Sequence, residues 1–229
     1  MALGRLQWVD ARQREDHRFL RLTDHCLYFG EFHRKCGWTG GEINELIADF
    51  KRTPSEIAAS LRSRALRYFK HRAAWRIGRA LTRQFGRAAV NSSITFVPMP
   101  GSKLAGDTDY CDRLSRTLHL AFAECSHDIR AVLRQKIATP ADHASGRRLS
   151  YSALLDIVEI DPAQLSRPLR PLVVLFDDVL TSGKHFAVAQ QRIREAVPGQ
   201  AILGVFVARR VHTEIAARPD ARGRAHESC

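Results

Sequence analysis

The sequence predicts an α/β protein, a parallel sheet flanked by helices, preceded by a helical N-terminal extension. Three observations predict it. From about residue 92 short apolar runs alternate with helix-length segments, the order of βαβ units. Leu172 to Phe176 is apolar throughout, the pattern of a strand covered on both faces. Residues 1 to about 90 instead carry helix-capping signals and a helical spacing of apolar residues.

The elements follow in order. Thr39 and Glu42 have the spacing of a capping box opening a helix through Glu45, Leu46, Ile47 and Phe50. A second start is sharper, with Thr53 as N-cap, Pro54 in the first helical position and Glu56 in the third. Ile57, Leu61, Ala65, Tyr68, Phe69, Ile77 and Leu81 then recur at helical spacing, which predicts one long helix. Ile94 to Val97 is a short strand ending in Pro98, Met99, Pro100 and Gly101. Residues 110–124 form a helix with Leu114, Leu118, Leu120 and Phe122 as its apolar positions. Ile129 to Leu133 is a strand, and the polar stretch 134–150 a long loop. Leu172 to Phe176 is the buried strand, Lys184 to Val197 a helix stopped near Pro198 and Gly199, and Ile202 to Ala208 the next strand. The division expected is a basic helical region over 1–90, the α/β unit over 91–215 and a flexible tail over 216–229.

Composition narrows the partners. The chain has 229 residues, is 45% hydrophobic and carries a formal net charge of +12, so it can bury a core and favours anionic partners. Much of that charge is local. Lys51, Arg52, Arg62, Arg64, Arg67, Lys70, Arg72, Arg76, Arg79, Arg83 and Arg87 face only Glu56 within the same stretch. The stripe is either a solvated helix face or a surface for nucleic acid, and no recognition motif accompanies it. The five cysteines include no CxxC pair, which fits reduced thiols better than disulfides. The cluster His25, Cys26, His33 and Cys36 has poor spacing for structural zinc. No signal-peptide core and no apolar run of about 20 residues is present, so a soluble cytoplasmic protein with no membrane contact is expected.

The chemistry concentrates in PLVVLFDDVLTSGKHF, residues 171–186. A ligand in an open parallel sheet sits beyond the carboxyl ends of the strands, where Leu172 to Phe176 would deliver Asp177 and Asp178. Adjacent carboxylates accept hydrogen bonds from vicinal hydroxyls such as those of ribose. Small residues from Thr181 to Gly183 let backbone N–H groups converge on a phosphate, and the following helix N-terminus adds to the attraction.

This stretch resembles the phosphoribosyl pyrophosphate loop of type I phosphoribosyltransferases, in which an apolar strand precedes two acids, two apolar residues, Thr-Thr or Thr-Ser and Gly. The match runs through Gly183; His185 stands where the family has a threonine. Phe96 to Lys103, FVPMPGSK, resembles the VPxP loop of the competence-type and amidophosphoribosyltransferase-like branch, without that branch's N-terminal CxxC zinc finger. The resemblance covers residues 92–210. It implies a type I phosphoribosyltransferase-like fold, with Asp177 and Asp178 on the ribose hydroxyls and Thr181, Ser182, Gly183, Lys184 and His185 around the 5′-phosphate. Pro100, Gly101, Ser102 and Lys103 would contact pyrophosphate. A flap over 134–148 would bring Arg134, Lys136, Arg147 and Arg148 to the leaving group. It further implies Mg2+ as cofactor, with no metal ligand assigned to the protein, and transfer of the phosphoribosyl group to a nucleobase or amine with release of pyrophosphate. A non-catalytic nucleotide-binding regulator is the alternative, and a homodimer is compatible with either.

Overall fold

The structure is a computed structural model and describes residues 3–34, 36, 40–138 and 149–211. Its strands are β1 (Gln7–Trp8), β2 (Cys26–Phe32), β3 (Ile94–Pro98), β4 (Asp128–Ile129), β5 (Leu133–Gln135), β6 (Val158–Ile160), β7 (Leu172–Leu180) and β8 (Ala201–Arg210). The helices are α1 (Ala11–Arg14), α2 (Glu42–Lys51), α3 (Pro54–Ala58), α4 (Ser63–Gln84), α5 (Arg87–Ser92), α6 (Arg113–Ala121), α7 (Tyr151–Ile157) and α8 (Lys184–Ala196).

A central sheet runs in the order β1-β2-β8-β7-β3-β4. It is parallel from β2 to β4, and β1 is antiparallel to β2. The protein is thus α/β, a mostly parallel sheet between helices. Chain direction reverses at β3: α6 leads outward to β4, whereas β7 joins the other side of β3 and continues through α8 to β8. Right-handed crossovers in opposite directions place α6 and α8 on opposite faces. The same reversal makes the gap above β3 and β7 the switch point where open α/β sheets take ligands. α4 lies against α2 and α6, tying the basic region to the sheet.

The N-terminal region is less purely helical than its sequence pattern predicts. β2 lies inside the sheet, with Cys26, Tyr28 and Phe29 buried and Cys26 in register with Gly204. Aromatic residues pack well on a pleated surface, and CLYF supplies them. No boundary of packing falls at residue 90, because Tyr28, Phe50 and Leu81 belong to one core with Phe96, Phe176 and Phe206.

The Thr53–Glu56 capping box forms as expected, with Glu56 N–H donating to Thr53 Oγ1 at 3.2 Å and Thr53 N–H to Glu56 Oε2 at 2.8 Å. The helix it opens is short, however. Ser60 Oγ accepts from the Arg62 N–H at 3.1 Å, a local bond that competes with helical pairing and separates α3 from α4. Ile57, Ala73, Ile77 and Leu81 are buried, whereas Leu61, Tyr68 and Phe69 face solvent. Thr39 lies outside the described residues; Gly41, at φ 94°, precedes α2.

The strand expected over Ile129 to Leu133 divides into β4 and β5. Arg130 interrupts it by turning inward. Its guanidinium grips Asp128 at 2.7 and 2.8 Å and donates to the carbonyls of Gln164, Arg167 and Pro168. Of the stretch 134–150 expected as loop, Arg134 and Gln135 belong to β5 and residues 139–148 lie outside the described residues; β5 pairs with β6, which follows α7, as a separate antiparallel ribbon. The tail from Ala217 lies outside the described residues.

Candidate functional site

β7 is longer than its apolar run. It continues through Asp177, in register with Phe206, to Leu180, in register with Arg209. The two aspartates therefore lie within the last turns of the ladder rather than beyond it. Their surroundings differ sharply. Asp178 is buried, and its carboxylate accepts from Arg113 Nη2 at 2.5 Å and from Lys51 Nζ at 3.2 Å. Burial disfavours its charge, but Lys51 and Arg113 outweigh that and hold the carboxyl well below the ordinary aspartate range. Asp177 has no cation partner among the described residues and accepts the Asp178 N–H at 2.8 Å. Burial and the neighbouring Asp178 charge push it up, to about 7.

After Leu180 the chain turns through Thr181, Ser182 and Gly183 into α8. Gly183 has φ 77°, a left-handed conformation that suits glycine. A Cβ there would meet Leu20 Cδ2 at 2.9 Å. This reveals a contribution that the sequence pattern did not show: residues 16–20 form a strap across the loop. His17, fully buried, donates from Nδ1 to the Thr181 carbonyl, and Phe19 N–H donates to the Ser182 carbonyl at 3.0 Å. Asp16 anchors the strap to Arg209 at 3.2 Å. The strap occupies the loop's carbonyls, so its N–H groups and the N-terminus of the 13-residue α8 remain the binding-competent edge.

That edge borders a cleft of about 70 Å³, lined by Arg34, Lys51, Thr181, Ser182, Lys184, His185 and Arg210 with the apolar Phe32, Ile47 and Val179. Among the described residues no carboxylate lines it. Such a lining suits a compact oxyanion such as a phosphoryl group. Its volume is roughly two waters' share, far below the ~300 Å³ at which whole-ligand pockets begin. Lys184 also reaches back, its ammonium donating to the Leu149 carbonyl and lying 5.6 Å from the Phe19 ring centre.

The second expected half starts beside the first. Pro98 is in register with Phe176, and the Met99 N–H donates to the Phe176 carbonyl at 2.9 Å. Pro100, Gly101, Ser102 and Lys103 leave the sheet next to the acidic pair but do not line the small cleft. The chain beyond them docks on the basic region, where Asp109 accepts from the Ser55 N–H and hydroxyl at 2.9 and 2.8 Å.

Other expected residues are placed elsewhere. Arg134 lies in β5 rather than in a loop and pairs with Glu159 at 2.8 Å; Lys136 approaches the same carboxylate at 3.8 Å. Both are thus partnered by β6. Arg147 and Arg148 lie outside the described residues. Cys26 is buried in the sheet, where desolvation raises its thiol pKa far above the ordinary value. Among the described residues no group of three or more His, Cys, Asp or Glu side chains could hold a metal ion. Lys51, Arg34 and His17 were invisible as site residues because they come from the basic region and the strap, distant in sequence.

A second cavity of about 300 Å³ lies between α3, α4 and α6, and Arg113, Lys70, Phe50 and Ile57 help line it. Arg113 joins it to Asp178. No helix of the described residues is long and apolar enough to cross a membrane. No family model matches this sequence, and no curated protein matches it either.

Proposed function

We propose that the protein is a type I phosphoribosyltransferase-like enzyme that binds phosphoribosyl pyrophosphate with Mg2+ and transfers the phosphoribosyl group to a nucleobase or amine. The observation that carries the reading is the pairing of β3 with β7 at the switch point. It sets the Pro100–Lys103 loop beside an acidic pair followed by a left-handed Gly183 and a helix N-terminus. The 5′-phosphate would sit on the N–H groups of Ser182 to His185, inside the basic cleft. Asp177 would accept from a ribose hydroxyl, and Ser102 with Lys103 would contact pyrophosphate. In the reaction the bond from C1 to the pyrophosphate oxygen breaks, pyrophosphate leaves with the electron pair, and the acceptor nitrogen forms the new bond. The chain's part is to orient the ribose and offset the charge that develops on the leaving group. Among the described residues no cluster of side chains could hold Mg2+ alone, so the ion would be carried mainly by the substrate's own oxygens, with Asp177 as the carboxylate not already paired, and would screen the pyrophosphate charge.

One observation favours a second reading, a regulator that binds the same ligand without turning it over. Asp178 is already saturated by Lys51 and Arg113, so one of the two family carboxylates is committed to structure. Incubation with phosphoribosyl pyrophosphate, Mg2+ and a panel of bases separates the two. Base-dependent pyrophosphate release supports the enzyme, and saturable binding without release supports the regulator. Absence of binding, with Asp177→Asn identical to the parent, removes both.

A further inference from the structure

The basic stripe changes character once folded. Lys51 is tied to Asp178, Arg52 to Asp49, Arg76 to Glu42, and Lys70 to the Arg52 carbonyl and Cys111. Arg64, Arg72 and Arg79 are exposed and have no carboxylate partner among the described residues. Along α4 they alternate with exposed Tyr68 and Trp75. The order Arg64, Tyr68, Arg72, Trp75, Arg79 advances by four, four, three and four positions, which keeps all five on one helix face. The stripe extends about 22 Å at 1.5 Å per residue. Arg79 stacks on Trp75, 4.9 Å from the ring centre. Ser63 to Gln84 contains no acidic residue.

We propose that this face of α4 docks single-stranded nucleic acid, the phosphates pairing with Arg64, Arg72 and Arg79 and unpaired bases stacking on Tyr68 and Trp75. Alternating cations and rings match a strand that alternates charged backbone with free base faces, over on the order of four nucleotides. A duplex keeps its base faces stacked and offers the rings nothing. A second copy of the chain would set arginine against arginine. A lipid surface needs an apolar helix face, and that of α4, with Ala73, Ile77, Ala80 and Leu81, is buried in the core. The proposal is independent of the chemistry assigned to β7.

The test is fluorescence anisotropy of labelled dT12 and rU12 with the full chain. Three phosphate contacts predict that raising salt from 50 to 200 mM weakens binding about 20-fold. Arg64→Gln/Arg72→Gln/Arg79→Gln should abolish most of that salt dependence and lower affinity at 50 mM at least tenfold. Tyr68→Ala/Trp75→Ala should lower affinity roughly tenfold or more and leave the salt slope unchanged. Control substitutions of exposed Arg12, Arg116 and Arg167 by Gln should leave most of the binding. The proposal is overturned if neither oligonucleotide binds at 50 mM salt, or if the control triple loses as much affinity as the α4 triple. Tighter binding to a duplex 12-mer or to phosphatidylserine vesicles overturns it equally.

Discussion

Asp177 and Asp178 are chemically alike and sit in opposite electrostatic states. With its carboxyl raised to about 7, Asp177 retains a proton in the folded state that the unfolded chain releases near pH 4. Between about pH 4 and 7 the unfolded state therefore binds fewer protons, and stability falls as pH rises. Asp177→Asn should flatten that slope in urea titrations. For Asp178, whose pKa is depressed, the sign reverses: its contribution is present above the ordinary aspartate range and is lost as acid protonates it. If Asp177 accepts from ribose, affinity for phosphoribosyl pyrophosphate should rise about tenfold from pH 6 to 8 as the carboxylate ionises, read by calorimetry. Arg113→Met leaves Asp178 buried with Lys51 alone and should cost about 3 kcal/mol; adding Asp178→Asn should recover much of it. The acidic pair was legible from VVLFDD, but its asymmetry was not. Nothing local to residues 171–186 indicates that Lys51 and Arg113 converge on one acid and leave the other.

At the scale of elements, the strand–loop–helix of β7 and α8 formed almost as its sequence implies, because an apolar run, a glycine and a helix-forming segment are each local signals. Gly183→Ala tests it. A left-handed alanine costs about 2 kcal/mol, and its methyl would push against Leu20. The expected outcome is a lower urea midpoint together with loss of anion binding in the cleft. Where local signals failed, a distant partner had decided. Arg130 split a predicted strand by clamping Asp128 and three carbonyls. β2 was hidden because its neighbours in sequence are polar, and its place was set by β8, far along the chain. Tyr68 and Phe69 fit a helical period but not a buried one, since α4 turns only its Ala73–Ile77–Leu81 face to the core, and Leu61 falls in the break between α3 and α4.

The whole molecule depends on its basic region. β2 would leave β8 as an open edge if removed, and Tyr28, Phe29, Phe50 and Leu81 would leave the core with it. A fragment spanning 91–215 should therefore fail to fold, giving neither a cooperative urea transition nor a native-like near-ultraviolet dichroism signal. A folded fragment would instead mark the α/β unit as autonomous. Pairing across the sheet also has a temporal side. Cys26 lies beside Gly204, and His17 is bonded to Thr181, so both wait for chain not yet made. At a synthesis rate of 5–20 residues per second, β2 leaves the ribosome on the order of ten seconds or more before its partner. During that interval Tyr28 and Phe29 have no β8 to cover them, and the emerging chain carries exposed aromatic surface until its last strand is made.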